Sequence, residues 1–185
     1  MGNFSLCPLF FPKGVICMED PRVRQLAKVI TTYSTKIRKG DRVLIELFDQ
    51  AADLTKAVID EIYQAGGKPF MRIYDHKLSR SLLMGLDRDL AEMMALHDRE
   101  LMKEMDVYIG IRASENTSEL SDIPQSSLDT FMKYYIKPVH LDERVPHTRW
   151  VVMRYPNDSM AQMSRMSTEA FEDFFFEACL VDYER

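Results

Sequence analysis

Histidine is the most versatile catalytic and metal-binding side chain in this sequence, which contains His76, His97, His140 and His147. None of them forms the H-E-x-x-H or H-x-x-x-H spacing that places two metal ligands on one helix face. The tightest group is His140 with Asp142 and His147. These residues are suitable metal ligands, but a mobile polar loop explains them equally well.

His97 falls at helical spacing with apolar residues, which favours a hydrogen-bonded core histidine over a metal ligand. The residues sharing this spacing are Leu90, Met94, Leu101 and Met105. Methionines are numerous, and four of them in this region are predicted to fill a core or an interface. These four are Met93, Met94, Met102 and Met105.

Nucleophilic catalysis has no clear candidate. Cys7, Cys17 and Cys179 lack a C-x-x-C spacing, and three cysteines cannot all pair, which indicates a reducing cytoplasm without a structural metal. Cys179 falls within an aromatic-rich helix and is predicted to be a small core residue. The G-x-S-x-G motif of a serine nucleophile does not occur.

Paired carboxylates include Asp87 with Asp89 and Glu100 with Glu104. Both pairs are predicted to lie on exposed helix faces. Glu100 faces Lys103 three residues later, which is the ordinary surface arrangement of opposite charges on a helix. A solvated face is therefore favoured over acid–base catalysis.

The charge balance argues against a nucleic-acid surface. Lysine and arginine number 24 and aspartate and glutamate 29, which gives a net charge of −5. One basic cluster is predicted to complement a helix C-terminus rather than to bind phosphate. It consists of Lys36, Arg38, Lys39 and Arg42. No apolar run approaches the roughly 18 to 20 residues that a membrane span needs.

A glycine motif for dinucleotides or phosphates is missing after the first predicted strand. Leu47 is followed by FDQAAD, in which Asp49 and Asp53 would repel an anion. The glycines of AGGKP, residues 65–69, follow a helix and precede a strand, which is the wrong side for cradling a phosphate. Binding of NAD or of a P-loop nucleotide is therefore not expected.

The elements that must position these side chains alternate along the chain. Short strands are predicted at 42–47, 69–74, 107–111 and 149–155. Helices are predicted at 20–40, 50–65, 90–105 and 126–136, and from Ser167 onward. We therefore expect a three-layer α/β domain of the Rossmann or flavodoxin type, with a mostly parallel sheet of about four or more strands flanked by helices. The least regular stretches, 113–124 and 137–148, are expected to be loops that carry ligand contacts.

Residues 1–17 are predicted to form a disordered extension before an α/β domain that covers residues 18–185. Pro8 and Pro12 interrupt the short apolar run, and no basic segment precedes it, so this stretch makes a poor secretory signal.

Removing this extension is expected to leave stability unchanged, because it has no periodic pattern with which to bury a face. A chain that starts at Met18 should have the same urea midpoint as the full chain. A loss of more than roughly 1 kcal/mol would show that the extension belongs to the fold.

Five stretches, taken together and in order, resemble the N-terminal domain of the aminopeptidase T and aminopeptidase S family. They are MEDPRVRQLAKVITTYSTKIRKGDRVLIE (18–46), QAGGKPFMRI (64–73), VYIGIRASENTSELSDI (107–123), TRWVVMRYP (148–156) and MSTEAFEDFFFEAC (166–179). Asn157 and Asp158 depart from the turn that usually follows Y-P in the family.

The resemblance implies a cytoplasmic, homodimeric metallo-aminopeptidase that releases N-terminal amino acids from peptides with two divalent ions (zinc, cobalt or magnesium). The family's ligands lie in a C-terminal catalytic domain that is not present in this chain. No position here matches a family metal-binding motif. We therefore assign no catalytic or metal-binding residue and expect no metal in this chain. The substrate-binding residues are unknown. The competing interpretation is a free-standing α/β ligand-binding or regulatory module.

The last helix carries more apolar residues than one face accommodates. One predicted stripe packs on the sheet and consists of Phe171, Phe174, Phe175 and Ala178. A second stripe, formed by Phe176, Leu180 and Tyr183, is expected to face a missing catalytic domain or another copy of the chain. The isolated chain is accordingly expected to self-associate, and Phe176→Glu with Leu180→Glu to reduce this without unfolding it.

Overall fold

The structure is a computed structural model that describes residues 20–181. The expectations for residues 1–17 and for Tyr183 lie outside this range. Four strands form one parallel sheet in the order β2-β1-β3-β4, which confirms the predicted α/β class. They are β1 (Arg42–Asp49), β2 (Lys68–Tyr74), β3 (Val107–Ala113) and β4 (Arg149–Arg154).

Helices connect and cover the strands. They are α1 (Pro21–Lys28), α2 (Ala52–Gln64), α3 (His76–Met84), α4 (Arg88–Lys103), α5 (Gln125–Phe131), α6 (Val145–His147), α7 (Asp158–Met163) and α8 (Thr168–Cys179). Two π-helical segments continue α1 and α5, namely π1 (Val29–Ser34) and π2 (Met132–Arg144). No helix within residues 20–181 combines the length and apolar character that crossing a bilayer requires.

The two faces of the sheet bury different sets of side chains, because successive residues of a strand point to opposite sides. On one face, Val43 and Ile45 of β1 pack with residues of α1, α2 and α8. On the other face, Leu44 and Tyr108 pack with residues of α4 and π2. The molecule is therefore layered as helices, sheet and helices.

The first helix begins where it was predicted to begin. The Asp20 carboxylate accepts a hydrogen bond from the backbone N–H of Arg22. The helix then widens into π1, which buries Thr31 and leaves Tyr33 46% exposed. A side chain in a π-helix does not follow the 3.6-residue period, which is consistent with the outward position of Tyr33.

The stretch 137–148 was predicted to be a loop and is helical instead. π2 runs through it, with Pro138 inside, and α6 follows. A search for a 3.6-residue period misses such a segment, because a π-helix closes its hydrogen bonds over five residues. The stretch 113–124, in contrast, contains no helix or strand beyond the last residue of β3, as expected.

The predicted faces of α8 are also wrong. Phe176 is only 4% exposed and lies in the main core, while Phe174 of the supposed sheet-facing stripe is 56% exposed. Leu180 packs half-buried against the same core. α8 contacts both α1 and α7, so more than one of its sides is covered. Phe176 and Leu180 are therefore part of the domain and do not form a docking surface.

Strand β2 forms one edge of the sheet. Three of its apolar side chains, Phe70, Met71 and Ile73, are exposed on the two sides of this edge. The neighbouring central strand β1 is almost completely buried. The sheet is therefore well covered at its centre and poorly covered along β2.

Candidate functional site

A cavity of about 280 Å³ lies at the carboxyl ends of β1, β2 and β3. Parallel α/β sheets commonly bind ligands at this edge. We call it the strand-end cavity. Its polar lining residues are Glu46, Tyr74, His76, Ser79, Tyr108, Arg112, Tyr135, His140 and Arg144.

Strand register brings the floor of the cavity together. In the strand register, Glu46 lies opposite Arg72 of β2 on one side and opposite Gly110 of β3 on the other. Side chains from the three strands therefore share one face of the sheet. Gly110 leaves room for its neighbours, since a Cβ there would lie 3.2 Å from the Tyr108 ring and 3.2 Å from Val152 Cγ2. Tyr108 can therefore lean across the sheet towards Glu46.

Glu46 is a buried carboxylate, only 3% exposed. The Tyr108 hydroxyl donates to its Oε2 at 2.7 Å, and the Tyr74 hydroxyl donates to its Oε1 at 3.3 Å. Burial raises the pKa of Glu46, and the two hydrogen bonds and the charge of Arg72 oppose that rise. Burial and the charge of Glu46 raise the pKa of Tyr108 in turn. The carboxylate and the two hydroxyls form a satisfied buried group.

Tyr108→Phe is expected to lower the free energy of unfolding at neutral pH by about 1 to 2 kcal/mol, because a buried carboxylate loses its shorter hydrogen bond. The loss should shrink on acidification, since protonated Glu46 has no charge left to stabilise. Urea unfolding at several pH values measures this, with exposed Tyr63→Phe as the control. Equal stability of the two variants at neutral pH would contradict it.

A second hydrogen-bond network links three elements of the fold beside Glu46. Arg72 Nη1 of β2 donates to Asp98 Oδ1 of α4 at 2.6 Å. The Tyr135 hydroxyl of π2 donates to Asp98 Oδ2 at 2.5 Å. Both oxygens of Asp98 are thereby engaged, and one wall of the strand-end cavity is held against the sheet.

Two arginine side chains of the cavity lie over aromatic rings. Arg112 Cζ lies 4.4 Å from the centre of the Phe48 ring. Arg144 Cζ lies 4.8 Å from the centre of the Tyr108 ring and 4.5 Å from that of Trp150. Burial lowers the pKa of Arg144. The rings hold both guanidinium groups in place without neutralising them.

His140 is a neutral histidine at neutral pH. Burial, with the charges of Arg144 and Arg112, lowers its pKa to about 4. Its Nδ1 accepts a hydrogen bond from Arg144 Nε at 3.2 Å. With Nδ1 as acceptor, Nε2 carries the proton and is a hydrogen-bond donor.

The structure separates the residues that the sequence had grouped. His140 lines the cavity, whereas His147 is exposed and Asp142 pairs with Lys137 at 2.7 Å. His97 is exposed, so its prediction as a core histidine is wrong. The buried face of α4 is formed by other residues, namely Ala91, Ala95 and Met102.

Other candidates behave as ordinary structural groups. Asp49 accepts a hydrogen bond from the backbone N–H of His76 at 2.9 Å and also pairs with Nδ1 of that ring. Asp49 thereby holds the start of α3, a helix that the periodicity had not revealed. Glu100 pairs with Lys103, as expected for a surface helix. Cys179 packs partly buried against the main core, consistent with its predicted structural role.

Metal binding requires several ligands in one place, and residues 20–181 hold no group of three or more His, Cys, Asp or Glu side chains suited to one ion. We assign metal ligands to none of these residues.

Apart from His140, sequence reasoning missed the polar residues that build the cavity. Glu46 interrupts an otherwise apolar strand, and Tyr108 and Arg112 alternate with apolar residues along another. This alternation was the available signal, because a polar side chain in a buried strand needs a partner. Arg144 gave no such signal, since its helix was not recognised.

The chain is similar in sequence to one protein family and in structure to several solved proteins. A family model described as thermophilic metalloprotease (M29) matches residues 19–185. Among solved structures, wild-type AmpT from Thermus thermophilus is similar with a TM-score of 0.67 and 15% identity, over 86% of this chain and 43% of AmpT. An alcohol dehydrogenase superfamily protein from Novosphingobium aromaticivorans reaches a TM-score of only 0.35 at 12% identity, over 85% of this chain and 47% of its own.

The chain thus spans less than half the length of AmpT. At 15% identity, the likeness to AmpT shows a shared fold alone. No curated protein sequence matches the chain.

Proposed function

The chain belongs to the thermophilic metalloprotease (M29) family, and from that premise we propose that it is the N-terminal domain of a metal-dependent aminopeptidase. The observation that carries the proposal is the family match over residues 19–185. The fold shared with AmpT supports it, because this chain covers 43% of AmpT, a share that one domain of a longer protein would take.

In this proposal the catalytic site lies in a C-terminal domain that is not part of these 185 residues. The residues of the described range do not provide a fitting ligand set, so no chemical step is assigned to them. The domain packs against the catalytic domain and helps to enclose the peptide substrate. The complete enzyme is proposed to be a cytoplasmic homodimer that uses two divalent ions (zinc, cobalt or magnesium).

The 185-residue chain is expected to release no leucine from leucine p-nitroanilide, with or without added zinc, cobalt or magnesium, because hydrolysis needs a clustered ligand set. Metal-dependent release by the pure chain would contradict the domain assignment. The DNA after codon 185 gives the matched positive test. An open frame rich in Glu, His and Asp should encode a longer product that hydrolyses the substrate when metal is added.

A second candidate is a stand-alone α/β ligand-binding or regulatory module. The strand-end cavity, with its two arginines, favours it independently of the peptidase reading. A stop codon directly after codon 185, together with a stable 185-residue product in cells, would support this alternative over the first.

A further inference from the structure

The strand-end cavity has an excess of positive charge. Neither Arg112 nor Arg144 forms an ion pair within the described part of the chain, and the salt bridges there involve other cations. Glu46 is the one carboxylate among the described lining residues. Its two oxygens already accept hydrogen bonds from Tyr108 and Tyr74. Glu46 therefore offsets one of the two guanidinium charges at most, and the cavity keeps a net positive charge.

One atom in particular lacks a partner. Arg144 Nη1 is buried, and no hydrogen-bond acceptor in the described structure reaches it. Arg144 Nε is occupied by His140 Nδ1, and the guanidinium plane lies over Tyr108 and Trp150. A buried donor without an acceptor costs free energy, and such groups in native proteins mark a missing ion, water or ligand. One donor of this cavity-lining side chain thus lacks an acceptor.

The remaining walls are apolar. They are formed by Phe48, Leu82, Leu83, Met94, Leu120, Phe131, Ile136 and Leu141. The volume of about 280 Å³ is near the lower limit of pockets for small organic molecules, roughly 300 Å³. The space therefore suits one apolar group of modest size.

We propose that the strand-end cavity binds a small monocarboxylate with an apolar body, whose carboxylate contacts Arg144 and Arg112 and whose body lies against the apolar walls. His140 Nε2–H adds a neutral donor beside the arginines. A monocarboxylate fits this site better than phosphate, because its single negative charge matches the positive charge that Glu46 leaves unbalanced between the two arginines. The binding does not depend on the peptidase function proposed above.

Met94 gives a local readout, because its side chain lines the cavity. The full 185-residue chain, labelled with ¹³C at the methionine methyl groups, is titrated with 3-phenylpropanoate. We expect a saturable shift of the Met94 methyl signal, assigned with Met94→Leu, and no shift of exposed Met163. The uncharged 3-phenylpropanamide should bind about tenfold more weakly or worse, because it lacks the charge that the arginines attract.

Variants test the two arginines. Arg144→Gln and Arg112→Gln should each weaken 3-phenylpropanoate binding about tenfold. Arg88→Gln is the matched control, because Arg88 also lies over a tyrosine ring but does not line the cavity. Should Arg144→Gln fail to fold, Arg112→Gln and the ligand series on the unchanged chain decide the matter.

The other outcomes overturn the proposal. Equal affinity for acid and amide would show an apolar pocket without carboxylate recognition. Equal affinity for inorganic phosphate or acetate would show an anion site without an apolar subsite. No saturable shift through the millimolar range would show that the cavity does not bind this class.

A free organic acid and the C-terminus of a peptide both offer a carboxylate next to an apolar group. Comparing the affinity of 3-phenylpropanoate with that of the tripeptide Gly-Gly-Phe and of its C-terminal amide distinguishes these two ligand sources. Tripeptide binding as tight as that of the free acid, and lost in the amide, assigns the site to peptide C-termini. Preference for 3-phenylpropanoate assigns it to free acids, which the small volume of the cavity favours.

Discussion

Phe176→Ala is expected to lower the free energy of unfolding by about 3 to 5 kcal/mol, the usual cost of removing a phenylalanine from a core. Phe176 is 4% exposed and belongs to the cluster of α1, α2, α8 and the sheet. Its ring also contacts the Phe175 ring edge-on, with 5.5 Å between the two ring centres, and its centre lies 4.6 Å from Arg22 Cζ. Urea unfolding followed by circular dichroism measures the loss, which is large for a domain of ordinary stability.

Phe174→Ala is the matched control, because Phe174 lies on the same helix but is 56% exposed. Its substitution should change the free energy of unfolding by no more than about 0.5 kcal/mol. The reverse ranking of the two variants would mean that α8 presents Phe176 outward, as the sequence had suggested. The structure therefore changes the expected effect of Phe176→Glu with Leu180→Glu from lost association to unfolding.

Acidification is expected to destabilise the chain through His140. This histidine has a pKa of about 4 in the folded chain and an ordinary value of 6.5 when unfolded. Between these two values the unfolded state binds a proton that the folded state does not, so stability falls as the pH falls. At about 1.4 kcal/mol per pH unit, the loss is on the order of 3 kcal/mol. Below pH 4 this contribution no longer changes.

His140→Gln isolates this effect. Glutamine cannot take up the proton but can still accept from Arg144, so the variant should lose less stability than the unchanged chain between pH 6.5 and 4. Exposed His97→Gln serves as the control. Urea midpoints of the three proteins across this range provide the measurement. Parallel pH profiles of the unchanged chain and His140→Gln would show that His140 takes up its proton equally well folded and unfolded.

The strands could be predicted from the sequence because burial on both faces favours apolar runs, and Val43–Leu47 shows such a run apart from Glu46. Helix ends were also predictable where a side chain caps them, as Asp20 and Ser167 do. These signals are local. They depend on neighbours in the chain and not on the final fold.

The cavity could not be predicted, because it arises from contacts between distant residues. Glu46 and Tyr108 are 62 residues apart and meet only through the pairing of β1 with β3. His140 and Arg144 reach the same place through a π-helix, whose spacing differs from the period that sequence analysis assumes. The prediction of the buried face of α8 failed for a related reason, because a helix that is covered on several sides has no single apolar stripe.

The exposed edge of β2 also bears on how copies of the chain meet. An unpaired strand edge can hydrogen-bond to a strand of another molecule and extend the sheet from one molecule to the next. Pro69 interrupts this edge, because proline has no N–H to donate, and Lys68 adds a positive charge beside it. Two such edges approaching each other would bring like charges together. Strand β2 thus carries the kind of residues that discourage fibre-like growth, although its apolar side chains Phe70, Met71 and Ile73 remain open to water.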